Sequence, residues 1–140
     1  MRIDRVFIDT NVLLSGLAFN GNEARLLQLA LDHRIRLVIA EKVLIEARTT
    51  GLLKFPWILD PLDELLRDAD CETVPRLSNC LVDETSSLVR DPDDAEILAS
   101  ILVSQPDVAL TGDKDLLTDE VRAVAPVCRC ADYMRRRMPR

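Results

Sequence analysis

The sequence predicts an α/β protein: a parallel sheet with helices on both faces. Two observations carry that prediction. Short, almost wholly apolar runs such as Val6-Phe7-Ile8 recur along the chain, and stretches with helical spacing lie between them. Strands this apolar belong in a sheet covered on both sides, and the alternation with helices makes the connections crossovers between parallel strands. Sites in open sheets of this kind gather at the carboxyl ends of the strands. Asp9 and Asp113 both stand just past apolar runs, so both are expected on one rim.

Residues 5–8 read as the first strand. At 22–34, Leu26, Leu27, Leu29 and Ala30 recur as on one face of a helix. A second strand over 36–39 leads into a helix at 41–53, with Val43, Leu44, Ala47 and Leu52 inward. Helical patterning resumes over 61–69, 72–74 is a short strand, and 75–87 shows no readable period. Asp91 before Pro92 is a helix start, with Asp as N-cap and Pro in the first turn, opening a helix over 93–104. A strand at 107–110, a helix at 115–124, a strand at 127–129 and a short basic helix from 131 onward close the chain.

The chain has 140 residues, which suits one domain spanning 1–140. A hydrophobic content of 48% against 30% charged is that of a globular chain rather than a disordered one. No apolar run approaches the roughly 20 residues needed to span a bilayer. The first strand follows almost directly on Met1 with no long apolar leader, so the expected location is the cytoplasm. Cys71, Cys80, Cys128 and Cys130 are then reduced thiols, more readily core residues than a zinc site, because paired C-x₂-C knuckles are lacking. His33 is the only histidine and sits near a helix end, so imidazole acid–base chemistry is not expected. A net charge of −6 disfavours coating nucleic acid by bulk charge, but not an enzyme whose acids are gathered in one pocket.

Several acids could form such a pocket. Asp94 shares the inward stripe of its helix with Ile97, Leu98 and Ile101, and a carboxylate there needs a partner or a metal. Asp93 leans to the more polar side with Ser100 and Ser104, and Asp91 is well explained as a cap. In "TGDKDLL", Asp113 and Asp115 read equally as caps of the following helix or as site acids. Glu46, in "VLIEARTT", reads alone as a solvated surface residue. None of these acids has an obvious basic partner at i±4 on its inward face. Clustered carboxylates repel unless a cation neutralises them, and oxygen-only donors select Mg²⁺ or Mn²⁺. Such a pocket suits hydrolysis of a phosphodiester.

"VFIDTNVLLSG", then Glu46, "RDPDDAEILA" and "TGDKDLL", in this order and spacing, resemble the PIN-domain ribonucleases, in particular the VapC-like toxin components of bacterial toxin–antitoxin systems. The likeness runs from Arg5 to about Met134. It implies a three-layer α/β/α sandwich with strand order 3-2-1-4-5. It also implies four metal-site acids, Asp9, Glu46, Asp94 and Asp113, with Asp115 completing the set. Asn11 and Ser15 match positions expected to hydrogen-bond Asp9 or the substrate, Thr111 supports Asp113, and Asp91 belongs to the same surroundings. The implied activity is endoribonucleolytic: with Mg²⁺ or Mn²⁺, an activated water attacks RNA and leaves 5′-phosphate and 3′-hydroxyl ends. A homodimer and a cognate antitoxin are the implied protein partners, with no membrane involved. Ala40 stands six residues before Glu46, where the family commonly has serine, and "VCRCADYM" lacks the proline often found there.

RNA contacts are expected from Arg48, Lys54 and Lys114, or from the terminal "MRRRMPR", which otherwise reads as a solvated helix end. "KFPWILDPL" either exposes Phe55 and Trp57 to a second subunit or antitoxin, or packs them in a helix–helix corner, the preferred reading. Two rival functions stand beside the nuclease. An aspartyl-phosphate phosphatase wants a second acid two residues after its nucleophile, and that position is Asn11. A non-catalytic PIN-like scaffold typically lacks one of the acids, and all four are present.

Overall fold

The computed structural model describes residues 2–137. Five strands form one parallel sheet: β1 (Asp4–Ile8), β2 (Ile35–Ala40), β3 (Cys71–Val74), β4 (Val108–Leu110) and β5 (Val127–Cys128), in the order β3-β2-β1-β4-β5. This is the 3-2-1-4-5 order expected from the resemblance. The three inner strands, β2, β1 and β4, are the most deeply buried. Val6, Phe7 and Ile8 of β1, and Leu37, Val38 and Ile39 of β2, are wholly buried, as a sheet covered on both faces requires.

The helices are α1 (Thr10–Ala18), α2 (Asn22–Leu31), α3 (Glu41–Lys54), α4 (Leu59–Asp68), α5 (Asn79–Thr85), α6 (Pro92–Ser104), α7 (Asp119–Arg122) and α8 (Cys130–Arg137), with a 3₁₀ turn at Pro56–Ile58. The chain first steps outward from β1 to β2 to β3. It then crosses back to place β4 on the other side of β1. Right-handed crossovers put the helices of these two movements on opposite faces. In agreement, α1 packs on α2 and α3, α8 on α2, and α5 on α6. The reversal of direction opens a crevice past the carboxyl ends of β1 and β4, where such sheets place their sites.

Several elements depart from the sequence reading. Helix α1 was not anticipated. It is apolar on nearly every side, with Val12 and Leu13 buried, so it shows no amphipathic period. Within the unreadable 75–87 stretch lies α5, capped by Ser78, whose side chain accepts from the Leu81 amide. The helix expected over 115–124 shrinks to α7, capped by Thr118, and turns fill the preceding residues. Helix α2 stops at Leu31, and His33 follows in a left-handed conformation (φ 59°), exposed. Leu52 is not inward but 70% exposed; Gly51 takes the buried position.

Trp57 is likewise exposed, at 56%, so the preferred corner-packing reading fails. Phe55 makes edge-to-face contacts with Phe19 (5.9 Å) and Trp57 (5.4 Å), which leaves an apolar surface with exposed Leu52 and Leu53. Nor are all the cysteines core residues: Cys130 is buried, Cys80 is exposed, and Cys71 and Cys128 lie on opposite edge strands. In α8, Arg135 pairs with Asp132, Arg136 donates to Cys128 Sγ, and Arg137 lies 3.7 Å from Asp4. Met138, Pro139 and Arg140, the end of the basic tail, lie outside the described residues. Among the described residues no helix is long and apolar enough to cross a membrane.

Candidate active site

Strand β1 ends at Ile8 and delivers Asp9 to the carboxyl rim. Asp9 is the N-cap of α1, its Oδ1 accepting from the Val12 amide at 3.1 Å. Its Oδ2 accepts a hydrogen bond from the Thr111 hydroxyl. Asp9 is only 7% exposed. Burial pushes its carboxyl above the ordinary range. The Thr111 and Val12 bonds pull the other way, and the Asp113 charge adds to the rise.

Thr111 closes β4 as Asp9 closes β1. The hydroxyl that donates to Asp9 also accepts from the Asp113 amide at 3.0 Å. One buried hydroxyl therefore ties the ends of two neighbouring strands together. Asp113 Oδ1 accepts from the Asp115 amide at 2.9 Å, so Asp113 caps a tight turn rather than a helix. Gly112 is exposed, and a Cβ there would meet nothing within 4 Å.

Helix α6 brings the third component. Asp91 is its N-cap and accepts from the Asp93 amide at 2.9 Å, and Pro92 opens the first turn. Ile97, Leu98 and Ile101 are buried, and Asp94 stands at the rim end of the stripe they form. Carboxylate oxygens of Asp94, Asp113 and Asp115 lie within 4.8 Å of one another. The Asp94 carboxyl is pushed up to about 7. Burial is the main cause, followed by its hydrogen bond to Asp113 and the charges of Asp113, Asp91 and Asp115. Burial and the neighbouring negative charges make Asp94 hold its proton more tightly than an ordinary carboxyl does. Oxygen donors at this spacing fit a hard divalent cation that would replace that proton. Arg90 approaches Asp115 at 3.6 Å but is 93% exposed, so it offsets little of the charge.

Across the rim, α3 supplies Glu46. Its Oε2 accepts from the Thr10 hydroxyl at 2.7 Å and its Oε1 pairs with Lys42 Nζ at 3.1 Å. Lys42 also pairs with Asp93 at 3.0 Å. Burial works against the Lys42 charge, but the hydrogen bonds to Asp93 and Glu46 outweigh it and strengthen its hold on the proton. The sequence reading overlooked this ammonium, which sits four residues before Glu46 at a spacing known to pair. It also overlooked Thr10, and it left Asp93 on the polar side of its helix.

A cleft of about 490 Å³ runs between these elements, lined by Asp9, Asn11, Glu46, Lys54, Asp93 and Asp94 among others. Asp94 belongs both to this cleft and to the three-acid cluster. Asp9 and Glu46 face the cleft but stand outside the cluster. The side chains of Asn11 and Ser15 form no hydrogen bond among the described residues, to Asp9 or otherwise. Of the basic candidates, Lys54 lines the cleft, Arg48 is held by Asp63 at 3.0 Å, and Lys114 is exposed in the turn between Asp113 and Asp115.

The family model described as PIN domain matches residues 5–115. The fold is similar to the crystal structure of VapBC2 from Rickettsia felis bound to a DNA fragment from their promoter. The TM-score is 0.65 at 14% sequence identity, over 89% of this chain and 98% of that one. At this identity the likeness is one of fold. No curated protein sequence matches the chain.

Proposed function

We propose that this chain, which belongs to the PIN domain family, is a Mg²⁺- or Mn²⁺-dependent endoribonuclease and the toxin component of a toxin–antitoxin pair. The observation that carries the nuclease reading is the convergence of Asp94, Asp113 and Asp115 oxygens within 4.8 Å, with the Asp94 carboxyl pushed up to about 7 by burial and by its acidic neighbours.

Asp94, Asp113 and Asp115 would hold the ion, with Asp9 and Glu46 facing it from the cleft. When bound, such a cation offsets phosphate charge and makes a water acidic enough to attack phosphorus near neutral pH. The chain's own residues set the stage. Thr111 holds the Asp9 and Asp113 strand ends at a constant separation. Lys42 and Thr10 orient Glu46, and Lys42 keeps Asp93 from adding an unbalanced charge. Lys54 is placed to meet a phosphate of the strand lying in the cleft. Attack of water on phosphorus breaks the P–O3′ bond. The departing 3′ oxygen takes up a proton, and the products carry 5′-phosphate and 3′-hydroxyl ends. No histidine is needed, and His33 is remote from the rim at the end of α2.

The test is cleavage of a mixed pool of labelled RNAs with Mn²⁺ or Mg²⁺, with EDTA, and with Asp94→Asn. Metal-dependent cleavage abolished by the variant supports the reading, and equal cleavage by the variant overturns it. The pairing of the Lys42 ammonium with Glu46 and Asp93, both of which line the cleft, favours a second reading, a non-catalytic scaffold whose cleft acids are partly neutralised. That reading requires that Mn²⁺ not bind.

The toxin assignment is supported by the fold likeness to VapBC2 and by the exposed Phe19, Leu52, Leu53 and Trp57 surface. On this reading that surface receives a cognate antitoxin in the cytoplasm, and a second copy of the chain is the alternative occupant. A small protein encoded beside this chain should co-purify with the wild type and not with Trp57→Asp. Light scattering of the chain alone tests for the homodimer.

A further inference from the structure

A second recess of about 240 Å³ lies on the same rim, beyond Asp9 from the main cleft. It is lined by Asn11, Ser15, Glu23, Gly112 and Arg129 among others. Asn11 lines both recesses, so a strand crossing the acids from one enters the other. Arg129 follows β5 directly, is exposed, and has no carboxylate partner among the described residues. Most guanidinium groups of this chain are ion-paired, for example Arg5 to Glu72, Arg48 to Asp63 and Arg76 to Glu96. An unpaired one beside an acidic site has its donors free for a ligand. The Arg129 carbonyl accepts the first amide bond of α8, from Tyr133 at 3.1 Å, so residue 129 stands at that helix's positive end. The Asn11 and Ser15 side chains, which form no hydrogen bonds among the described residues, complete the polar lining.

Resting on the nuclease reading above, we infer that Arg129 grips a backbone phosphate of the substrate RNA in this recess, so that the strand runs from the Lys54 cleft across the acids to Arg129. Planar, forked donors suit a phosphate better than a point charge does. Glu23, on the α2 wall, limits the recess to one anionic group and opposes it. Arg129 is therefore a binding residue engaged before and during reaction, and its loss raises KM while leaving kcat unchanged.

The experiment is steady-state cleavage of the RNA pool in Mn²⁺ at several salt concentrations, with wild type, Arg129→Ala, Arg129→Lys and Glu23→Gln. Melting temperatures confirm that each variant folds. Arg129→Ala should raise KM about five- to tenfold and reduce the salt slope of log(kcat/KM) by about 0.7, the value for one phosphate on a single strand. Arg129→Lys should keep the slope and recover only part of the KM. Glu23→Gln should lower KM, a gain that a structural role for Arg129 does not explain. If wild type cleaves but Arg129→Ala shows the same KM and slope, the inference is overturned and the nuclease reading stands. If Arg129→Ala instead loses only an acidic protein partner, the recess is a protein contact and the inference is overturned. If wild type cleaves no RNA, both fall.

Discussion

Asp94→Asn should make the metal-free protein more stable while removing its response to metal. The Asp94 carboxyl, ordinarily near 3.8, is pushed up to about 7 by burial, by its bond to Asp113 and by three neighbouring acids. The folded state therefore holds a proton that the unfolded chain releases. The penalty is absent below about pH 4, grows through the window to pH 7, and is fully present above it. Three pH units at about 1.4 kcal/mol each would set a ceiling near 4 kcal/mol. The cleft opens to solvent, and screening reduces this to about 1–2 kcal/mol. Asparagine carries no charge and can still donate to Asp113. For a chain of this length 1 kcal/mol is about 3 °C, so at pH 8 in EDTA the variant should melt about 3–6 °C above wild type. Wild type should lose that difference on acidification toward pH 4. Mn²⁺ at about 100 times its Kd should raise wild type by roughly 2.7 kcal/mol, or about 8 °C, and raise the variant by far less, so the ranking inverts. Differential scanning fluorimetry across pH and metal reads all of this. A variant that melts below wild type at pH 8 in EDTA would refute the crowding argument. One that gains as much from Mn²⁺ would refute Asp94 as a ligand.

Thr111→Val keeps the shape but deletes the hydroxyl that donates to Asp9 and accepts from the Asp113 amide. Chemical denaturation should show a loss of about 1–3 kcal/mol, because the buried Asp9 carboxyl and the half-buried Asp113 amide lose a partner. Gly16→Ala would place a Cβ 2.6 Å from Leu27 Cδ1 and 2.9 Å from the Glu23 carbonyl oxygen, where α1 meets α2. Overpacking of about 1–3 kcal/mol should exceed the roughly 1 kcal/mol gained in helix propensity, so the melting temperature should fall. Ala40 is the N-cap of α3 and offers no side-chain acceptor. Ala40→Ser should add a cap bond and stabilise the protein by about 1 kcal/mol in the same denaturation assay.

Most strands were legible because they contain short apolar runs that need no distant residue to be recognised; β3, with Glu72 and Thr73, is the exception. Helix α6 was legible from Asp91-Pro92 and the Ile97, Leu98, Ile101 stripe. Helix α1 was not, because Thr10–Ala18 is nearly uniform in hydropathy and leaves no period to read. The helix expected after Asp113 failed for a local reason: Asp113 binds the Asp115 amide and closes a turn, so the helix waits for Thr118. Leu52 and Trp57 looked inward by spacing and composition. Their exposure depends on where α3 and the Pro56–Ile58 turn leave the core, which spacing does not report. The Lys42–Glu46 pair lay within reach of the i,i+4 rule and was overlooked.

By itself the sequence determined that a buried parallel sheet would form and that acids would stand at the ends of its strands and at the start of one helix. These are consequences of nearest-neighbour chemistry: apolar runs, caps and turns. The tertiary structure decided which acids meet. Thr111 lies 102 residues from Asp9 and binds it only because β4 pairs with β1. Lys42 reaches Asp93 across 51 residues because α3 and α6 converge on the same rim. Asp94, Asp113 and Asp115 form the tight cluster, while Asp9 and Glu46 stand facing it, their oxygens held by Thr111, Val12, Thr10 and Lys42. Charge repulsion and cation affinity depend on separations of a few ångströms, and those separations follow from strand order and helix placement rather than from spacing along the chain.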